Sequence, residues 1–190
     1  MKVYFLAVAA VFMMSSLQAQ NVNIGIKGGL NTYTLSSDID NGLDSKIGFH
    51  LGLLGHIHIT DQFGLQPELV FSLQGARNKD ADVNLNLGYL NVPVMFQYMF
   101  DNGFRLEAGP QIGFLINAKS KDGSNEVDVK DDFKSVDFGV GLGVSYVHPP
   151  TSFGVGARYN LGVSDISEAG FNTSNRGLQL SVFYLFKHRS

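Results

Sequence analysis

From Leu87 to Ile116 apolar and polar side chains alternate with a period of two, interrupted by Asp101-Asn102-Gly103. An Asn-Gly pair between alternating runs is a strong hairpin signal, because a type I′ turn needs two residues that tolerate positive φ. After the turn, Phe104, Leu106, Ala108, Pro110, Ile112, Phe114 and Ile116 share one face. Arg105, Glu107, Gly109, Gln111, Gly113, Leu115 and Asn117 share the other. The alternation lasts about a dozen residues, against ~5–6 for the usual strand of a soluble sheet. One face suits lipid, the other a crowded polar interior.

The same unit recurs along the chain and predicts eight strands: Val22 to Tyr33, Lys46 to Ile59, Gln62 to Ala76, the hairpin pair, Ser135 to Val147, Ser152 to Ser164, and Arg176 to Phe186. In the last, Leu178, Leu180, Val182, Tyr184 and Phe186 oppose Gln179, Ser181, Phe183 and Leu185. The fourth strand slips phase. Leu85, Leu87 and Tyr89 lead, then Leu90, Val92, Val94, Phe96 and Tyr98, which reads as a β-bulge. Pro67, Pro93 and Pro110 each remove a ladder donor, so local bulges or kinks are expected there too.

Connections after strands two, four and six are tight, whereas those after one, three, five and seven are longer and polar, such as Lys119 to Lys134. Short turns on one side and long loops on the other suit an outer-membrane barrel. No segment has helical spacing, and no apolar run beyond the N-terminal one is long enough to span a bilayer as a helix. A soluble barrel cannot hold so many large side chains inside eight strands, and a two-sheet sandwich could hold them only with an outer face of Gly, Asn and Gln and few charges. The expected fold is all-β, an eight-stranded antiparallel up-and-down transmembrane β-barrel.

Composition sharpens this picture. Charged residues make up 16 % of the chain, against roughly 25 % in soluble domains, so too few groups are left to solvate a water-facing surface. Residues 1–19 read as a signal peptide: Lys2, an apolar stretch from Val3 to Met14, and a cleavage site at Leu17-Gln18-Ala19. Residues 20–190 are then one barrel domain, exported to the bacterial outer membrane. Loss of Lys2 takes the net charge from −3 to −4, which argues against nucleic acid as a partner. Without Cys there is neither a disulfide framework nor thiolate chemistry.

Several short runs carry a resemblance: Leu65-Gln66-Pro67-Glu68-Leu69 with Gly75 following, Tyr89-Leu90-Asn91-Val92-Pro93, and Leu106-Glu107-Ala108-Gly109-Pro110. Asp137-Phe138-Gly139, Ala157-Arg158-Tyr159-Asn160 and the strand ending at Phe186 extend it over essentially the whole mature chain. Together they resemble the small outer-membrane β-barrel proteins of Bacteroidetes, the PorT-like group. The resemblance implies an outer-membrane barrel. Some relatives take part in secretion, but no motif here carries that role over. The tail Lys187-His188-Arg189-Ser190 departs from the terminal aromatic of the assembly signal, which places Phe186 in that role, slightly inboard.

Six charged residues, Lys27, Glu68, Arg105, Glu107, Asp137 and Arg158, fall on the inward phase. They suit an acid/base pair, a lined ion path, or a paired network that plugs the lumen. Three of each sign favour the plug, because buried charge is tolerated when paired. His56 and His58 stand two apart, a metal-ligand spacing on a strand, but spacing marks no third ligand, so no metal or other cofactor is expected. Gly139, Gly141 and Gly143 form GxGxG without a following helix N-terminus and read as space for long neighbours rather than a phosphate cradle. The acidic stretches Asp122 to Asp132 and Asp38, Asp40 and Asp44 lack the EF-hand ligand order and read as solvated loops that share divalent cations with lipopolysaccharide.

The expected function is a non-enzymatic outer-membrane barrel whose loops support the envelope or contact an extracellular ligand. Its partners are outer-membrane lipid, lipopolysaccharide and, during biogenesis, the barrel-assembly machinery. A narrow channel or small-solute binder, and a lipid-modifying enzyme on the same scaffold, are the alternatives.

Overall fold

The computed structural model describes residues 22–37, 43–78, 83–123, 125–168 and 172–186. The expected signal peptide, the basic tail, Asp38 and Asp40 lie outside them. The strands are β1 (Val22–Ser37), β2 (Leu43–His58), β3 (Phe63–Asn78), β4 (Val83–Met99), β5 (Phe104–Asp122), β6 (Asn125–Asp128), β7 (Val136–Val147), β8 (Phe153–Gly162) and β9 (Thr173–Leu185). Each barrel strand pairs antiparallel with its sequence neighbour, and β1 pairs with β9 from Gly25↔Leu185 to Ser37↔Thr173. That last pairing closes an eight-stranded barrel. The short β6 lies only against the end of β5. Closure leaves no open sheet edge within the hydrocarbon region, which lipid does not tolerate.

Toward the end that carries the tight turns, the faces follow the alternation. Ile24, Ile26 and Leu30, Leu51 and Leu53, Phe114, Phe138, and Leu180 and Val182 all point outward and are exposed. An aromatic girdle rims the turns: Phe63 stacks edge-on to Tyr98, Tyr98 to Phe100, and Tyr184 to Phe186, with centroids 5.3, 4.9 and 5.2 Å apart. Aromatic girdles of this kind mark a membrane–water boundary. Inside this end Leu54, Val147, Phe183 and Leu185 pack together.

Six of the eight barrel strands run further toward the loop end than the alternation implies, whereas β7 starts at Val136 rather than Ser135 and β8 ends at Gly162 rather than Ser164. β1 continues to Ser37 and β5 to Asp122, while β2 begins at Leu43 and β9 at Thr173. The connections 38–42 and 79–82 are therefore as short as the turns. Only 123–135 and 163–172 are long.

Along these extensions the polarity of the wall inverts. Tyr33, Leu35, Ala76, Leu87, Tyr89, Leu115 and Ala118 are buried inside, while Thr34, Asn84, Asn86, Arg77 and Arg176 occupy the outward phase. The slip expected in β4 is this inversion. Leu87, Tyr89, Asn91, Pro93, Met95, Gln97 and Met99 stay on one inward face with no change of phase.

The register shift beside this point belongs to β5. Gly88 pairs with Asn117 and Tyr89 with Leu115, so Ile116 is the extra residue and Asn117 is exposed rather than inward. A second shift lies in β2 between Ser45 and His50, opposite Gly75. Gly75 has a φ of 132°, and a Cβ there would stand 2.1 Å from the Leu85 carbonyl oxygen, so only glycine fits. No bulge forms at Pro67, Pro93 or Pro110, since the register is the same on both sides of each, but the ladder skips pairs beside them, from Pro67↔Val94 to Val70↔Asn91 and from Pro93↔Gln111 to Phe96↔Ala108.

The two long connections fold over the mouth and complete the inner apolar cluster. Ile166 is fully buried against Leu35, Ala76, Leu87 and Tyr89, with Val129 and Phe133 packed on the same cluster. They hold one another through the Lys134 amide donating to the Ile166 carbonyl at 2.8 Å and the Glu168 amide to that of Asp132 at 3.0 Å. Lys134 Nζ also pairs with Asp165 at 2.5 Å.

Candidate functional site

The charged interior occupies the turn-side half of the lumen. Lys27 on β1, Glu68 on β3, Glu107 on β5 and Arg158 on β8 approach from four parts of the wall. Arg158 grips Glu68 with both terminal nitrogens, Nη1 to Oε2 at 2.9 Å and Nη2 to Oε1 at 2.7 Å. Its Nε donates to Glu107 Oε1 at 2.9 Å. Lys27 Nζ reaches Glu68 Oε2 at 3.2 Å. Gln66 Nε2 donates to Glu68 at 2.7 Å, and Gln97 Nε2 donates to both Gln66 at 3.1 Å and Glu107 at 3.0 Å. All are buried. Bidentate, charge-assisted contacts of this kind are strong and geometrically fixed.

Of the six charges on the inward phase, the structure brings these four into one network. Arg105 joins it indirectly, with Nη1 donating to Gln97 Oε1 and to His56 Nδ1, each at 3.4 Å. Asp137 stands apart, accepting from Ser164 Oγ at 2.8 Å and Asn175 Nδ2 at 2.9 Å. The glutamines that weld the network together were visible only as inward polar positions. Gln66, two residues before Glu68 on the same face, was the available signal.

Gly141 and Gly143 of β7 make room for long neighbours as expected, whereas a Cβ at Gly139 would meet only the Leu161 and Gly162 backbone. A Cβ at Gly143 would meet Glu107 Oε1 at 2.8 Å, and one at Gly141 would meet Arg158 Cδ at 3.2 Å. The strand continues past them to Val147, so no helix terminus follows.

His56 and His58 do not share the interior. His56 is fully buried beside the Arg105 cation, whereas His58 is exposed at the strand end. Their rings meet edge-on with centroids 4.5 Å apart. Among the described residues, no group of three His, Cys, Asp or Glu is placed to hold a metal ion. His50 Nε2 lies 2.9 Å from Ser181 Oγ, but its Nδ1 has no partner, so the orienting acid of a catalytic triad is missing from this pair.

An apolar outer band, an aromatic rim and an ion-paired interior around a closed antiparallel wall define an integral outer-membrane β-barrel protein. The family model described as outer membrane protein beta-barrel domain matches residues 18–168, and the chain belongs to that family. Membership places it in the bacterial outer membrane.

Among solved structures, Neisserial surface protein A is 17 % identical with a TM-score of 0.62, covering 86 % of this chain and 97 % of its own. Ail, the attachment invasion locus protein of Yersinia pestis, is 16 % identical with a TM-score of 0.54, covering 86 % of this chain and 98 % of its own. At these identities the likeness is one of fold. Comparison with curated proteins gives no match.

Proposed function

We propose that the protein is a non-enzymatic outer-membrane barrel of the PorT-like kind, with a side-chain-plugged lumen and a loop end that supports the envelope or contacts partners at the cell surface. The observation that carries this reading is the Arg158 guanidinium, bonded to Glu68 and Glu107 across the lumen. An eight-stranded interior is only just filled by side chains, so such a bridge leaves no solute-wide path. Export through the N-terminal signal leaves the start of β1 in the periplasm. The tight turns then face inward and the connections 123–135 and 163–172 face the exterior, within reach of lipopolysaccharide. The test is planar-bilayer conductance of the refolded protein. The expected trace shows no stable porin-sized steps; steady steps of that size refute the plug.

A further inference from the structure

The lumen charges do not all find partners. Glu68 and Glu107 share Arg158, but Asp137, buried in the wall of β7, takes hydrogen bonds from two neutral groups only. No basic side chain among the described residues pairs with it. A carboxylate withdrawn from water without a counter-charge is costly.

The surroundings are rich in unused oxygen. Asn175 Oδ1 and Tyr89 OH are buried without a hydrogen-bond partner. Asn175 bonds Asp137, and the Tyr89 ring and Asp137 both border the gap at Gly113. All three residues are more than nine-tenths buried. Gly113, paired with Asp137 across β5 and β7, opens the wall there; its missing Cβ would lie 2.7 Å from Asn91 Oδ1, 3.3 Å from the Tyr89 ring and 3.6 Å from Asp137 Cβ. Turning the Asn175 amide over would present its oxygen in place of its nitrogen, a choice fixed by whatever it faces.

Oxygen donors of this type, carboxylate, amide carbonyl and hydroxyl, select hard cations. One negative charge is balanced by one positive charge. We propose that Asp137, Asn175, Tyr89 and Ser164 form a site for a single monovalent hard cation, sodium, which pins the β8–β9 connection onto the barrel mouth. Ser164 couples the site to that connection. It stands two residues before Ile166, the side chain that fills the inner apolar cluster, and its hydroxyl both bonds Asp137 and accepts the Phe138 amide at 2.8 Å.

The test is hydrogen exchange of the Val163, Ser164 and Ile166 amides, which bond to the Phe138 and Thr173 carbonyls. The full chain, folded in vesicles, is compared in sodium chloride and in choline chloride of equal ionic strength. Exchange should slow as sodium rises, by up to about tenfold per tenfold increase in concentration, as linkage requires. Asp137→Asn should abolish the sodium dependence, and Glu126→Gln on the exposed hairpin should preserve it. Equal exchange of the wild type in both salts overturns the proposal, as does a sodium response that survives in Asp137→Asn. A potassium response as large as that of sodium overturns the choice of ion. Should Asp137→Asn fail to fold, Tyr89→Phe removes one hydroxyl and should weaken the response; an unchanged response then counts against the site.

Discussion

Two stretches of one wall, the turn-side half and the loop-side half of the barrel, obey opposite rules. On β1, Ile24, Ile26 and Leu30 point out while Lys27 and Asn31 point in; a few residues on, Tyr33 and Leu35 point in while Thr34 and Ser36 occupy the outward phase. The turn-side half is built for lipid outside and hydrogen-bonded charge inside. The loop-side half is built as a small water-soluble barrel is, with an apolar core capped by Ile166. The β1–β2 and β1–β9 ladders keep one register through both halves, so on β1 the solvent outside, and not the fold, decides which face is apolar. The crossover therefore marks where the strands leave the membrane.

The largest expected effect falls on the turn-side interior. Arg158→Met removes the cation that Glu68 and Glu107 share and leaves both carboxylates buried, with Lys27 as their nearest compensation. Breaking a buried ion pair this way costs about 3–5 kcal/mol. Urea unfolding in vesicles should show that loss; a change below about 1 kcal/mol would mean that water solvates the lumen and the network is not sealed.

The next contrast runs along the outside. Arg in place of Val140, outward and apolar on the turn-side half, should cost about 2–4 kcal/mol. Arg in place of Thr34, on the outward phase of the loop-side half, should cost under about 0.5 kcal/mol, as at an ordinary surface site. Equal costs at the two positions would erase the distinction between the halves.

Much of this was legible in the chain. The faces of β5 from Phe104 to Leu115 and the inward phase of all six charges followed from period two alone. The β4 slip was not. A strand that shifts by one residue and a strand whose surroundings invert leave the same mark in the sequence, because both move the apolar set to the other parity. Leu85, Leu87 and Tyr89 could be sorted only once the neighbours they face were known. The partners of each charge were hidden for a related reason. Arg158 and Glu68 are 90 residues apart and meet across the lumen, a relation set by strand stagger and not by spacing. Ser164, which bonds Asp137, ended an expected strand on the inward phase, but that phase did not say which side chain it would meet.

A smaller effect concerns the cap. Lys134 beside Asp165, with the Thr173 and Ser167 amides donating to the same carboxylate, holds its carboxyl down at about 2. The unfolded reference is roughly 3.9, so the folded value is depressed. Its contribution to docking the β8–β9 connection is complete above the unfolded value and fades as pH falls through about 2. The NMR shifts of Ser167 and Thr173 should report release of the cap in that acid range while the turn-side strands hold theirs. Asp165→Asn should remove the acid-dependent step; a step that persists in this variant would assign it to another group.

The inversion itself can be measured directly. The chain has no Cys, so single replacements can be spin-labelled without background. Labels at Leu30 and Thr34, four residues apart on the outward phase of β1, sample the two halves in vesicle-embedded protein. Leu30 should be relaxed preferentially by lipid-soluble oxygen and Thr34 by a water-soluble nickel complex. Oxygen preference at both sites would contradict the inversion, because the membrane would then continue past the apolar core and the loop-side half would have no aqueous surface.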